Sequence, residues 1–239
     1  MICLRGIALS YLRGDIMDRK LMISAVTKFL AGLVLLALLI FLPAGTLAFT
    51  QGWIFMAVLF LPMLMIGIVL ALKSPELLRK RLNSKEQENT QKGVVISSLL
   101  MFLAGFITAG LSFRFGWLRL PMWVSVTAAV IFLIGYAMYA EVLRENEYLS
   151  RTVEVQEEQK VIDTGLYGGI RHPMYTATIL MFCFAPLVLG SVISFVIFLA
   201  YPVIIVTRIG NEEKVLENGL KGYTDYKKKV KYRLLPFIW

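Results

Sequence analysis

The stretch "MYTATILMFCFAPLVLGSVISFVIFLAYPVIIVT", residues 174–207, contains no charged side chain over its 34 residues. One straight helix of this length would be about 51 Å long, whereas the hydrocarbon core of a bilayer is about 30 Å thick. Gly190 and Ser191 interrupt the stretch near its middle. Because Gly and Ser punctuate helices, the stretch predicts two apolar helices joined by a tight turn. Both ends of this hairpin would return to the same membrane surface.

Four further apolar runs precede the hairpin. The chain has 239 residues, of which 58% are hydrophobic, and its mean hydropathy is +0.71. Apolar runs of about 18 residues or more are transmembrane candidates. Together with the hairpin they predict an all-α, multi-pass integral membrane protein with six transmembrane helices, or five if part of the hairpin is re-entrant. The four runs cover residues 29–42, 53–72, 94–111 and 122–143.

The charged residues alternate along the chain. All but two of the 25 Lys and Arg residues, and every Asp and Glu, lie in four segments, 1–28, 73–92, 141–174 and 208–239. The loop 43–51 carries no charge. By the positive-inside rule, this pattern predicts that both termini are cytoplasmic. The net charge of +9 therefore reflects topology and attraction to anionic membrane lipids, and we expect no nucleic-acid partner.

Composition divides the chain into three parts. Residues 1–28 are predicted to form a cytoplasmic N-terminal lead, residues 29–143 a four-helix membrane scaffold, and residues 144–239 a functional half that includes the hairpin. The first apolar run is expected to be an uncleaved anchor rather than a signal peptide. Met17, which opens "MDRKLMIS", is a second candidate start of translation.

Cysteine and histidine are too scarce for a metal site of the common kind. The chain has two Cys and one His, whereas structural zinc sites use four Cys or His ligands and catalytic sites three. We therefore expect neither a metal nor a disulfide framework.

The polar segments around the hairpin carry their own local predictions. The stretch "RTVEVQEEQKVIDTG", residues 151–165, alternates polar and β-branched residues and is expected to be extended. Asn211 is predicted to cap a helix with Glu212 and Glu213 in its first turn. A second short helix is expected from about Tyr223, where "YKKKVKY" is basic enough to lie on an anionic membrane surface.

The densest polar chemistry immediately precedes the hairpin, in "TGLYGGIRHPMY", residues 164–175. Pro173 suits the first position of a helix, and the residue before a proline is pushed away from helical geometry, so His172 is predicted to lie at the boundary. A helix N-terminus beside Arg171 would form an anion-binding pocket. The alternative is that Arg171 and His172 only anchor the helix to lipid head groups.

A second polar cluster follows the hairpin. Arg208, Glu212 and Glu213 lie where the second apolar helix returns to the membrane boundary. A hairpin that begins at Pro173 would bring these residues beside Arg171 and His172. Opposite charges at such a partly dry boundary suit a cationic, zwitterionic ligand.

Taken together, these motifs are similar to a known family. "TGLYGGIRHPMY", followed after the hairpin by "RIGNEEKVL" and "GYTDYKKKVKYRLLPFIW", resembles the isoprenylcysteine carboxyl methyltransferase family, and most closely its bacterial members, over residues 140–239. The resemblance implies S-adenosylmethionine as the methyl donor, a cytosolic cofactor pocket and a location in the bacterial inner membrane. It also implies that the acceptor is a lipophilic small molecule or a lipidated carboxylate.

The resemblance also implies roles for single residues. Arg208 would hold the acceptor carboxylate, Arg144 matches another family arginine, and Glu213 completes this catalytic set. Leu235 and Pro236 would close over the donor. The donor-binding residues implied by motif are Tyr167, Arg171, His172, Pro173, Tyr175, Glu212, Glu213, Leu235 and Pro236. The "IGN" before the glutamates differs from the more acidic run of eukaryotic relatives, and prenylated proteins are not expected in bacteria, so the acceptor stays open.

Three alternatives accompany this interpretation. A phospholipid or small-lipid N-methyltransferase would use the same donor but would need Glu213 or a neighbour as a base. An NADPH-dependent membrane reductase shares a similar Arg-His-Pro end. A non-enzymatic membrane protein is the third alternative. The sequence leaves open whether oxygen or nitrogen is methylated, and also the oligomeric state.

Overall fold

The computed structural model describes residues 2–82, 89–150 and 153–239, and for residues 2–18 and 89–91 it describes the backbone only. Within these ranges the chain is helical, which confirms the predicted all-α class, and the only β-type pairing is one bridge between Arg119 and Ser191. A 3₁₀ turn covers Gly165–Gly168. The helices are α1 (Ile2–Ala44), α2 (Thr50–Lys73), α3 (Pro75–Leu82), α4 (Asn89–Phe115), α5 (Met122–Glu145), α6 (Pro173–Val188), α7 (Val192–Phe198), α8 (Ala200–Gly219) and α9 (Tyr223–Lys229).

Among the residues that the structure describes, five spans are long and apolar enough to cross a membrane. They cover Arg19–Ala44, Thr50–Lys73, Lys92–Phe115, Met122–Glu145 and Val192–Gly219, the last of which joins α7 and α8. Helix α6 is apolar but has only 16 residues, about 24 Å of helix. The structure therefore agrees with the lower of the two predicted counts, with α6 as a short additional arm. The segment 1–28 is helical from Ile2, and residue 1 lies outside the described residues.

The turn inside the long apolar stretch is where the sequence predicted it. Helix α6 ends at Val188, and Gly190 has a φ of +71°, a conformation that glycine adopts without steric cost. The side chain of Ser191 then caps α7, because its Oγ accepts a hydrogen bond from the N–H of Ser194 at 3.2 Å. The hairpin is thus confirmed, with a glycine turn and a serine cap.

Small residues let the helices approach closely. A methyl group added at Gly135 on α5 would lie 3.1 Å from the carbonyl oxygen of Ala177 on α6. At Gly110 on α4 it would lie 2.4 Å from the carbonyl oxygen of Ile40 on α1. Close backbone approach of this kind is the usual mode of helix packing in membranes. The contact between α5 and α6 fixes the height at which the polar start of α6 leaves the apolar core.

The predicted helix start at Asn211 is wrong. Helix α8 runs without a break from Ala200 to Gly219, so Asn211, Glu212 and Glu213 lie in its interior. The physical reason is that continuation of the helix satisfies the backbone N–H groups, so no cap is needed, and an isolated glycine such as Gly210 is tolerated inside a helix. The predicted end near Gly219 and the second helix from Tyr223 are confirmed.

The loop before the Arg-His-Pro segment is not helical. Residues 153–163 have no helix, but the extended conformation predicted for 151–165 is interrupted by a turn at 157–158, where Glu158 has a φ of +55°, and it ends in the 3₁₀ turn from Gly165. Residues 151–152 lie outside the described residues. Asp163 in this loop accepts a hydrogen bond from Lys229 of α9 at 2.7 Å. This contact ties the loop to the C-terminal segment.

Candidate active site

The start of α6 is held by the C-terminal tail. Pro173 occupies the first helical position and His172 the boundary, as predicted. The backbone N–H groups of Arg171 and His172 each donate to a carbonyl oxygen at 2.9 Å, those of Tyr232 and Arg233 respectively. These two N–H groups are therefore used by the protein itself.

Glu213 lies at the centre of a buried ion cluster. Its Oε1 accepts from Arg171 Nε at 2.8 Å and lies 3.2 Å from His172 Nε2. Its Oε2 accepts from Arg233 Nε at 3.0 Å, and Lys227 Nζ is 3.9 Å away. One carboxylate thereby links α6, α8 and the tail. The expectation that the hairpin brings Arg171 and His172 to the paired glutamates is confirmed.

Glu212 takes a different direction from its neighbour. Successive residues of an α-helix are about 100° apart around its axis, so Glu212 borders a cavity beside the hairpin. It accepts a short hydrogen bond from the Tyr175 hydroxyl, and Arg208 Nε donates to the same hydroxyl oxygen at 2.8 Å. The ring of His172 stacks on Tyr175 with 5.7 Å between centroids. Tyr175 thus links the Glu212 carboxylate to the Arg208 guanidinium on one wall of the cavity.

The cavity has a polar and an apolar side. Its polar lining near the hairpin is formed by Arg171, His172, Tyr175, Arg208 and Glu212, and further polar lining comes from Asn146, Ser150, Glu154, Gln159 and Lys160. The remainder includes branched and aromatic side chains from the loop, from the end of α8 and from α9. Those used below are Val161, Tyr167, Leu216, Leu220, Tyr223 and Tyr226.

Of the lining tyrosines Tyr167, Tyr223 and Tyr226, the first and the last have hydrogen-bond partners for their hydroxyl groups. Tyr226 donates to the carbonyl oxygen of Tyr167 at 2.8 Å, and the Tyr167 hydroxyl accepts from Asn146 Nδ2 at 2.9 Å. Burial raises the pKa of Tyr167 to about 12, so this hydroxyl stays neutral near pH 7. The Tyr223 hydroxyl is buried and has no partner. A buried donor without a partner is costly, which makes Tyr223 a candidate ligand contact.

Five residues implied by the resemblance do not border the cavity. Glu213 lies away from the cavity because its carboxylate contacts Arg233 of the tail and the pair Arg171 and His172. The Arg144 side chain is 69% exposed. Its Nη2 pairs with Glu141 Oε1 at 2.6 Å and with Glu145 Oε1 at 2.9 Å, and both glutamates lie on the same helix, α5. Leu235 and Pro236 are exposed and do not cover the cavity, because the chain turns back beyond them. Pro173 is buried and acts on the site by starting α6.

The structure adds residues that the sequence did not single out. Arg233 completes the ion cluster, and Asn146 and Tyr223 border the cavity. Arg81 of α3 donates to the carbonyl oxygen of Ser150 at 3.1 Å and to the Tyr139 hydroxyl, so it fixes the start of the loop that forms one cavity wall. The Tyr-x-x-Tyr spacing of Tyr223 and Tyr226 was the only signal that could have pointed to one of these residues. Among the residues that the structure describes, no group of three or more His, Cys, Asp or Glu side chains could hold a metal ion.

Comparison with known proteins gives a family and a fold. The family model described as isoprenylcysteine carboxyl methyltransferase matches residues 126–218, a range that includes α5, the Arg-His-Pro segment, the hairpin and both glutamates. A search of curated proteins gives no significant match.

A solved structure of a eukaryotic intramembrane Ras methyltransferase, isoprenylcysteine carboxyl methyltransferase, is similar with a TM-score of 0.57. It is 19% identical, and the match covers 90% of this chain and 77% of that protein. At this identity the likeness shows a shared fold. The chain is thus similar to the isoprenylcysteine carboxyl methyltransferase family over residues 126–218, and it shares the membrane fold of that solved methyltransferase.

Proposed function

We propose that this chain is an S-adenosylmethionine-dependent methyltransferase that acts on the carboxylate of a lipophilic acceptor at the cytosolic face of the membrane. The observation that carries the proposal is the connected set of Glu212, Tyr175 and Arg208 in one cavity at the end of the hairpin. When bound, S-adenosylmethionine supplies an electrophilic methyl group on a positively charged sulfur.

The cavity fits the chemistry of such a donor. The Glu212 carboxylate favours a ligand with cationic groups, and tyrosine rings attract cations through their faces. Leu216, Leu220 and Val161 offer an apolar wall for a flat ring, and the Tyr223 hydroxyl offers an unused hydrogen-bond donor. Residues 144–239 would thus form the donor-binding half, with the earlier helices as its scaffold.

Arg208 is placed to hold the acceptor. A carboxylate is already ionised near pH 7, so its methylation needs no general base, and the task of the protein is to align the reacting atoms about 3–3.5 Å apart. A guanidinium pairs strongly with a carboxylate. Arg208 lies within the last apolar span, Val192–Gly219, so a lipophilic acceptor could present its carboxylate there while its tail stays among the apolar helices.

Amine methylation would need Glu213 or a neighbour as a base, and the contacts of Glu213 disfavour it in that role, which leaves its neighbour Glu212 at the cavity. An amine acceptor must lose a proton, which requires an available base. Both oxygen atoms of Glu213 are engaged by Arg171, His172 and Arg233. This carboxylate therefore supports the fold of the site, and a carboxylate acceptor is the simpler proposal.

Orientation in the membrane is part of the proposal. The Lys and Arg residues cluster in the segments that flank the cavity, whereas the loop 43–51 has no charge. The positive-inside rule then places the cavity and both termini in the cytoplasm, and the bacterial resemblance suggests the inner membrane.

Donor binding is the first test. Detergent-purified protein is titrated calorimetrically with S-adenosylhomocysteine, the product of the donor, and in parallel with NADPH. We expect saturable binding of S-adenosylhomocysteine that NADPH does not displace. No binding of S-adenosylhomocysteine, or binding of NADPH alone, would contradict the proposed reaction class.

The acceptor is the second test. Membrane lipid extracts are incubated with protein and methyl-labelled donor, and the labelled products are treated with mild alkali. Methyl esters release their label under alkali, whereas N-methyl groups retain it. Label that resists alkali would show that the acceptor is an amine and would contradict the proposed carboxylate acceptor.

A further inference from the structure

The end of the chain exposes a cluster of apolar side chains. We call residues 235–238, Leu-Pro-Phe-Ile, the C-terminal tip. Phe237 is 88% exposed and Ile238 is 77% exposed, with Leu235 also exposed. Contiguous exposed apolar side chains on a protein surface mark an interaction site.

The tip is held in a defined shape. The Trp239 carbonyl oxygen accepts from the N–H groups of Arg233, Leu234 and Leu235 at 2.9 Å, 3.0 Å and 3.3 Å. The Arg233 guanidinium lies 4.8 Å from the centroid of the Trp239 ring. These contacts turn the backbone at the tip, where the Phe237 ring lies 5.2 Å from the Tyr232 ring between centroids and stays largely exposed, as does Ile238.

The position of the tip matches the membrane boundary. Leu234 is buried in the same core as the membrane helices, and Trp239 packs against that core. The Leu234 carbonyl oxygen accepts from Thr176 Oγ1 at 2.8 Å, and Thr176 lies in the first turn of α6. The tip therefore begins at the level where α6 enters the apolar region.

Basic side chains surround the tip. Lys227 and Arg233 border the same surface depression as Phe237 and Ile238, together with Lys231. Lys and Arg near a bilayer are attracted by anionic lipid head groups, and exposed apolar side chains beside them enter the boundary between head groups and acyl chains. We propose that the C-terminal tip inserts into this boundary of a bilayer that contains anionic lipid.

The tip is connected to the candidate active site through the residues immediately before it. The carbonyl groups of Tyr232 and Arg233, immediately before the tip, hold the N–H groups of Arg171 and His172. A tip fixed in the lipid would hold this part of the tail at a constant depth. Insertion of the tip does not require methyl transfer, so loss of insertion and loss of methyltransferase activity would be separate results.

Spin-label accessibility tests the insertion. Ile238→Cys is made in a background with Cys3→Ser and Cys183→Ala, labelled with a nitroxide, and reconstituted in vesicles of phosphatidylcholine with phosphatidylglycerol. Collision with oxygen, which partitions into lipid, is compared with collision with a water-soluble nickel chelate. Val130→Cys on the exposed apolar surface of α5 and Lys228→Cys on α9 are the matched lipid and water controls.

We expect the ratio of oxygen to nickel collisions at position 238 to exceed that at position 228 several-fold and to approach that at position 130. We also expect this ratio to fall in vesicles of phosphatidylcholine alone. A ratio at position 238 equal to that at 228 would overturn the insertion. An immobile label that neither reagent reaches would do the same, because it would show the tip covered by protein. An equal ratio in both kinds of vesicle would remove the anionic lipid from the proposal.

Discussion

At the residue scale, the two adjacent glutamates have separate roles. Glu213 is buried among Arg171, His172 and Arg233, whereas Glu212 borders the cavity beside Tyr175. A buried ion cluster is strongly destabilised when one partner is removed, because the remaining charges stay uncompensated. A carboxylate that borders a cavity has no such structural duty. We therefore propose that Glu213 serves the stability of the site and that Glu212 is the glutamate available to a ligand.

This separation predicts different effects of the same substitution. Glu213→Gln should lower the free energy of unfolding by about 3 kcal/mol, since it leaves buried cations unpaired. Glu212→Gln should change it by less than about 1 kcal/mol but weaken S-adenosylhomocysteine binding about tenfold, as expected for a lost charged hydrogen bond. Unfolding in detergent and calorimetric titration measure the two effects. Equal loss of stability in both variants would contradict the division.

The two tyrosines of α9 provide a second residue-scale prediction. Tyr223→Phe removes a buried hydroxyl without a partner, so it should leave stability unchanged or raise it, while S-adenosylhomocysteine affinity falls by about 0.5–1.5 kcal/mol. Tyr226→Phe is the matched control, because its hydroxyl already donates to the Tyr167 carbonyl oxygen. It should cost about 1 kcal/mol of stability. Unchanged affinity in Tyr223→Phe would show that this hydroxyl does not contact the ligand.

At the scale of the elements, the hairpin has unequal arms. Helix α6 ends after 16 residues, whereas α8 continues to Gly219 and carries Arg208 near its middle, with Glu212 and Glu213 one turn further on. The first turn of α6, which begins at Pro173, contacts this part of α8 through Tyr175. The site is thus the contact between the beginning of one arm and the end of the other.

The close helix contacts predict where a single methyl group is harmful. Gly110→Ala would place a carbon 2.4 Å from the Ile40 carbonyl oxygen, so α1 and α4 must separate, at about 1–3 kcal/mol for an overpacked contact. Gly67→Ala on α2 meets nothing within 4 Å and should be neutral or slightly stabilising, because Ala favours helix. Unfolding measurements in detergent compare the two variants. Equal stability would show that the α1–α4 contact is looser than described.

At the scale of the whole molecule, the end of the chain completes the site. The tail supplies carbonyl groups to Arg171 from Val230 and Lys231 at 2.7 Å and 2.8 Å, and Arg233 pairs with Glu213. The apolar helices keep their packing against one another without these contacts, and they lose only the part of the core that Leu234 and Trp239 add.

A truncation after Lys231 should therefore abolish ligand binding without unfolding the membrane part. We expect S-adenosylhomocysteine affinity to fall more than about tenfold, since several hydrogen bonds and one buried ion pair are lost. Helical content by circular dichroism should stay near that of the intact chain. Lys228→Gln, which changes only an exposed pair with Asp225, is the control and should bind normally. Normal binding after truncation would show that the tail is not part of the site.

The sequence by itself determined the membrane class, the glycine turn near residue 190 and the helix start at Pro173. Each of these depends on local physics: the length of an apolar run, the backbone freedom of glycine, or the missing N–H of proline. It also placed the two polar clusters at one boundary, because a hairpin returns to the side from which it started.

Only the tertiary structure decided which side chains meet. The helix that continues through Asn211 sets the directions of Glu212 and Glu213, and the returning tail brings Arg233 to Glu213 across 20 positions of sequence. The same folding leaves Arg144 with its neighbours on α5 and turns Leu235 and Pro236 outward. Local patterns carry no record of these partners, because a contact between distant segments depends on how whole helices pack and on which charges are left to be neutralised.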